Sequence, residues 1–530
     1  MHNPLKPYLL VITLLVLVSS SSCVSPLPAE ASLVHAVAFS GVEMVKSLHA
    51  FNDIHSPNPA AVTVLEEEIE SDLDPETSST FPLLKPIDPT ISYITRSGDT
   101  LASLAARFAV SPDQILGDQP LDDRGLLPAG ILLRIPRVFD AETTSYRLLI
   151  PDSEAIFSAS AEDFDAQAYV QGAGGLLSNY KAFVPYYKDA EGWEIVQHIA
   201  KNYSVNPRLL LTLLEYNGQW VNGYPQTPNQ ELYPLGYYDG NYEHLTKQLI
   251  YAAQQLSVGY YGWRDGTLTA LTFKDGSQLK LHPSLNAGTV AVMHFFTKVY
   301  TRDGWEAAMA PQAGFSALYT RMFGDPWTRA AQYPLIFPSP SVTQPEMVLP
   351  FEGDDLWFFA SGPHGAWVDQ GAQAAIDFTP STDKLRCVPA DNWVLAPVTG
   401  LVTRLSSGLM VLDLDMDGSE QTGWALLILH LEAEESIQLG DIVYQDQRIG
   451  HASCLGGRST DSHIHLARKY NGEWIHAGGP IPFVLSGWEV ISTGSTYEGF
   501  LTNGTTTLRA SITGTVDTQI RREEAVSVIP

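Results

Sequence analysis

The run Ser462–His463–Ile464–His465–Leu466 puts two histidines two positions apart in a segment with the composition of a β-strand. Side chains at i and i+2 of a strand point to one face, so both imidazoles can enter one site. Two further segments place polar residues in apolar surroundings. One is Leu426–Leu427–Ile428–Leu429–His430–Leu431. The other is Ser361–Gly362–Pro363–His364–Gly365, followed by Ala374–Ala375–Ile376–Asp377–Phe378. A carboxylate buried alone in a strand as apolar as the one around Asp377 would be costly, and a cation removes that cost. Two imidazoles and one carboxylate suit Zn²⁺ with a fourth position left for water. Zinc there would acidify the water and polarise a scissile carbonyl.

From about 345 to 490 the chain alternates short strands with Gly, Pro and Asp turns, as an antiparallel β domain requires. The order His, Asp, strand-borne His, His-x-His resembles the M23 metallopeptidases (LytM-like and beta-lytic types). Val348–Leu349–Pro350–Phe351 and Trp393–Val394–Leu395–Ala396–Pro397 add to the match, which covers about 140 residues. The resemblance implies His364, Asp377 and His465 as zinc ligands and His463 with His430 as the catalytic pair. It also implies hydrolysis of the peptide part of bacterial peptidoglycan. Asp377 follows His364 by 13 positions, a long gap that resembles the beta-lytic type. Ile428 stands where many members carry an aromatic. The competing reading is an inactive relative that binds the wall as a regulator or scaffold. His451 and His476 match no ligand position and read as surface or rim residues.

Cys387 and Cys454 flank the middle histidine segment. In an exported protein they form a candidate disulfide, with two free buried thiols as the alternative. Asp413–Leu414–Asp415–Met416–Asp417–Gly418 looks like the start of a calcium loop. Trp424 stands where the twelfth-position Glu belongs, so an EF-hand reading fails and a hairpin turn is expected.

Residues 91–137 read as strand, helix, helix, strand. Thr100 starts a helix carrying Leu101, Leu104, Ala105 and Phe108, and Ser111–Pro112–Asp113 caps a second through Ile115 and Leu116. A strand at Ile131–Ile135 closes the unit. This βααβ order resembles a LysM domain over about 45 residues. The resemblance implies binding to N-acetylglucosamine glycans.

Residues 138–175 read as a connector and 176–329 as a helical domain rich in aromatics. Val205 to Gly218 places leucines before Glu215, weakly resembling the helix of lysozyme-like lytic transglycosylases. That resemblance implies Glu215 as a glycosidic acid, making the protein bifunctional. A sugar-binding or spacer role is the alternative. Residues 330–343 form a Pro-rich boundary, and the tail 491–530 is rich in Ser, Thr and Gly, with edge strands expected.

The expected class is thus multidomain α+β, with a small βααβ unit, a mainly helical middle and a C-terminal antiparallel β domain. With 31 basic and 59 acidic residues among 530, the net charge of −28 argues against nucleic acid as a partner. Lys6 and the 11-residue apolar run Tyr8 to Val18 read as a signal peptide over 1–23, too short to span a bilayer. Small residues then lead to Cys23, where lipidation, hence a membrane tether, and ordinary cleavage nearby both stay open. Residues 24–90 read as an acidic, Pro-rich linker.

Overall fold

The computed structural model describes residues 89–138, 142–184, 188–367 and 370–523. The signal peptide, Cys23 and all but the last residues of the linker lie outside them. Among the described residues no helix is long and apolar enough to cross a membrane.

The first unit is β1 (Thr90–Ile94), α1 (Leu101–Phe108), β2 (Leu116–Gly117) and β3 (Leu132–Pro136), with β3 in the centre of the sheet. Thr100 caps α1 through a reciprocal pair with Ser103, which satisfies two of the free first-turn N–H groups. Leu104, Phe108, Ile115, Leu133 and Ile135 form its small core. The expected second helix is only one 3₁₀ turn, Pro112–Gln114. Gln114 closes the turn back on Ser111, after which Ile115 is extended and drops into the core. Leu116 then pairs with Arg134 as β2 instead of continuing a helix.

The middle of the chain is built on α2 (Gly192–Tyr203), α3 (Pro207–Gly218), α4 (Leu245–Arg264) and α5 (Ala287–Val299). Asn206 caps α3 and Pro207 fills its first turn, where a missing N–H costs nothing. Leu209, Leu210, Leu211, Leu213 and Leu214 are all fully buried. The leucines cover most of the helix surface, and Arg208, Glu215 and Tyr216 mark its partly exposed side. Helices α4 and α5 touch at Gly259, where an added Cβ would lie 2.8 Å from the Cα of Ala291. Leu149, Ile150, Ile156 and Val170 join this core, so the segment read as a connector contributes to it from Leu149 onward.

The C-terminal region is a long antiparallel sheet. Its strands are β4 (Trp357–His364), β5 (Ala375–Pro380), β6 (Gly400–Ser406), β7 (Gly408–Asp413), β8 (Trp424–Ala433), β9 (Ile442–Val443) and β10 (Ile464–Tyr470). Their order is β9-β6-β7-β8-β10-β5-β4, with Gln519–Ile520 on the outer edge of β4. Alternation along the strands serves two cores. Ile376, Phe378, Leu426, Ile428 and Leu466 pack with Phe483, Val490 and Leu501, which belong to or adjoin a four-stranded meander formed by 484–509. Ala375, Leu427, Leu429 and Ala467 on the other face belong to the same continuous core as the helices. Burial on both faces accounts for the unbroken apolar run of β8.

The Pro-rich stretch is a junction. Ile336 and Phe337 are buried in the shared core. Ser97 of the first unit donates to the carbonyl of Phe337 and accepts its N–H. Asn471 from the end of β10 donates to the carbonyl of Ile336, and the Phe337 ring stacks on Tyr470. Arg264 adds a second tie: it pairs with Glu473 and Asp152 and donates to the carbonyl of Ser97. Arg107 donates to the carbonyl of Trp263 while paired with Asp99.

Candidate metal centre

The site is assembled across four adjacent strands. His364 ends β4, Asp377 lies in β5, His465 lies in β10, and His430 lies in β8. Asp377 faces Ser361 on one side and His465 on the other. The neighbour of His465 on β8 is Leu429, one position before His430.

His430 adopts a left-handed φ of 59°, beside the point where the β7–β8 register slips. That bulge breaks the alternation and lets His430 share the site side of the sheet with Leu429. Its carbonyl accepts from both the N–H and the Oγ of Ser453, which holds the bulge open.

The three inner atoms converge tightly. His364 Nε2 lies 3.1 Å from His465 Nδ1, and Asp377 Oδ1 is 3.3 and 3.2 Å from them respectively. Each imidazole turns its outer nitrogen to a carbonyl: His364 Nδ1 to Gly362 at 2.9 Å and His465 Nε2 to Ala366 at 2.9 Å. Carbonyls only accept, so the outer nitrogens carry the protons and the inner ones present lone pairs. Asp377 Oδ1 is buried without a hydrogen-bond donor. Three buried lone-pair atoms so close together repel unless a cation joins them. Zinc bonds of about 2.0–2.1 Å in a tetrahedron space ligand atoms about 3.3 Å apart, which the three distances match. The residues therefore fit zinc.

Burial opposes charge on Asp377; positive charge on His364 and His463 would outweigh it and hold the carboxyl well below its usual range. Burial pushes the His465 imidazole down. Tyr497 stacks on the His364 ring at 4.8 Å.

His463 and His430 flank this trio with rings 4.4 Å apart. His463 directs Nδ1 to the carbonyl of Asp461 at 2.8 Å and holds Nε2 3.9 Å from Asp377 Oδ2. His430 directs Nδ1 to the carbonyl of Leu455 at 2.7 Å. Burial, with His463 and His465 beside it, pushes His430 down to about 4. Both histidines thus carry Nδ1 protons and leave Nε2 free as a base.

Cys387 and Cys454 form a disulfide that closes a separation of 67 residues. His451 stacks on Trp393 at 4.1 Å, and His476 accepts from the N–H of Gly478. The buried side chain of Ile428 belongs to the core on the opposite face of the sheet. Glu215 lies at the end of α3, outside this site, and its Oε2 accepts from the N–H groups of Val221 and Asn222, each at 2.9 Å. That carboxylate pins the 219–223 turn. Sequence reasoning missed Ser453, Tyr497 and the carbonyls of Leu455, Gly362 and Ala366. Carbonyls leave no trace in residue identity, and Tyr497 lies beyond the expected boundary at 490.

Residues 148–336 match the family described as LasA, N-terminal domain, and residues 93–136 match the LysM domain. The chain carries a LysM domain. It is 26% identical to Protease LasA of Pseudomonas aeruginosa over 359 residues, 63% of this chain and 77% of that protein. It is 29% identical to the beta-lytic metalloendopeptidase of Achromobacter lyticus over 108 residues, 20% of this chain and 28% of that one. Among solved structures, the M23 metalloprotease pseudoalterin shares 19% identity, covering 32% of this chain and 96% of its own, at a TM-score of 0.26. The LysM and M23 resemblances read from sequence are borne out. The likeness of the helical region to lytic transglycosylases stays a sequence-level expectation.

Proposed function

We propose that the chain is an exported zinc metalloendopeptidase that hydrolyses peptide bonds of bacterial peptidoglycan, with its LysM domain gripping the N-acetylglucosamine glycan. The observation that carries this reading is the convergence of three lone-pair atoms from His364, Asp377 and His465 beside two further histidines. Zinc bound there would polarise the scissile carbonyl and make a water a stronger nucleophile. His463 and His430 serve as the acid–base pair: one Nε2 takes the proton of the attacking water. Once protonated, an imidazole can donate to the developing oxyanion or pass its proton to the leaving amine. The signal peptide would deliver the protein to the cell envelope or beyond, released or tethered through a lipid on Cys23.

Mass spectrometry of digested peptidoglycan tests the reading directly. New free amino and carboxyl termini within stems or cross-bridges are expected, and they should vanish when the zinc is removed. Intact peptide with cut glycan would overturn it, as would no digestion at all by zinc-loaded protein.

A further inference from the structure

The hairpin between β7 and β8 joins Asp413 to Trp424 and carries three aspartates at alternate positions, Asp413, Asp415 and Asp417. One carboxylate oxygen from each lies within 4.8 Å of the others. Asp413 is fully buried, at 0% exposure. Its Oδ2 accepts from the N–H of Gly418 at 2.8 Å, but Oδ1 has no hydrogen-bond partner. An orphaned carboxylate oxygen of this kind is among the costlier groups to bury. Burial, reinforced by Asp415, pushes Asp413 up to about 7.

No basic side chain relieves the cluster. The nearby cations Arg404 and Lys469 are both taken by Glu420, and among the described residues none of the three aspartates has an ion pair. A second orphan lies in the same loop. Gln421 is 6% exposed, and its Nε2 has no partner while Oε1 meets the Ser419 hydroxyl.

We propose that this hairpin is a calcium site, with Asp413, Asp415 and Asp417 as its carboxylate ligands. Three hard oxygens suit calcium, which accepts 6–8 oxygens in irregular geometry, better than magnesium, which demands a near-ideal octahedron. Water and loop carbonyls would fill the remaining positions. Trp424 supplies no bidentate carboxylate, so the affinity belongs to the weak class, with Kd on the order of 10⁻⁴–10⁻³ M.

The test uses the full chain, zinc-loaded and dialysed free of calcium, titrated with CaCl₂ by calorimetry and melted with and without 10 mM CaCl₂. One calcium per chain is expected, with a rise in Tm that 10 mM MgCl₂ does not reproduce. Asp415 and Asp417 are exposed, so Asp415→Asn and Asp417→Asn should fold, which the calcium-free melt checks. Both should lose the calcium-dependent shift, and Asp413→Asn should lose it too. His465→Ala should keep the shift, separating this site from the zinc centre. Absence of a calcium response in the wild type, an equal response to magnesium, or an undiminished response in the Asp415 and Asp417 variants would overturn the proposal.

Discussion

Asp377 sits directly opposite His465 across the β5–β10 ladder, its Oδ1 3.2 Å from that histidine's Nδ1. A one-residue slip of β5 would turn Asp377 to the other face, so pairing register and metal site are one specification. With His364 these residues make a set without a spare ligand. His364→Ala, Asp377→Ala and His465→Ala should each lose most of the one zinc expected per chain, measured by elemental analysis of purified protein. Full zinc content in all three variants would remove the assignment.

His463 and His430 border the trio without adding to its three converging atoms. His463→Ala and His430→Ala should keep their zinc and melt near the wild type. Turnover should fall on the order of 10²–10⁴-fold, the usual contribution of a general acid or base. Zinc, melting and release of a soluble peptide should be read on the same samples. Zinc loss in His463→Ala would show that the two histidines of the His-x-His pair have exchanged roles.

The disulfide reaches both of these histidines through backbone. Cys454 stands between Ser453, which holds the His430 carbonyl, and Leu455, which receives the His430 Nδ1 proton. Cys387 precedes Val388, whose carbonyl accepts from Ser462, the neighbour of His463. Cys387→Ala combined with Cys454→Ala should therefore lower kcat more than KM while zinc stays bound. Stability should fall by about 2–4 kcal/mol. An unchanged kcat would mean that the loop holds its shape unaided.

His294 in α5 is buried with neither ring nitrogen hydrogen-bonded. Burial, with Lys298 nearby, pushes it from 6.5 down to about 3. The unfolded chain then takes up this proton first as pH falls. The stabilising contribution is complete above about 6.5 and is lost below it, at about 1.4 kcal/mol per pH unit until the folded value is approached. Urea unfolding from pH 7.5 to 4.5 should show that slope. His294→Leu should lower the slope by about that much and leave the share of the other buried histidines such as His430, and an identical slope in the variant would place this proton uptake elsewhere.

Much of the site was readable because its chemistry is carried by side chains in periodic surroundings. The spacing of His463 and His465 announced a shared strand face, and the apolar setting of Asp377 announced a charge in need of a partner. His430 was harder, because only the bulge turns it toward the others and no residue there advertises a left-handed backbone. The second LysM helix failed as an expectation because a capping signal at Ser111 fits one 3₁₀ turn as well as a longer helix. Pro-rich composition marked a boundary at 330–343 but gave no sign that Ile336 and Phe337 within it are core residues. Local composition cannot register what a segment meets from distant parts of the chain.

The junction at Ser97, Phe337 and Asn471 also bears on how such a protein would work along a wall. A binding module on a slack tether lets its cutter sample every bond within a sphere around the anchor. A LysM domain clamped to the helical layer and to the end of β10 allows no such search. If it held a glycan, as proposed, the candidate metal centre would stand at a set offset and in a set direction. The protein would then act as a ruler, and where it cuts would depend on the spacing of the wall's own mesh.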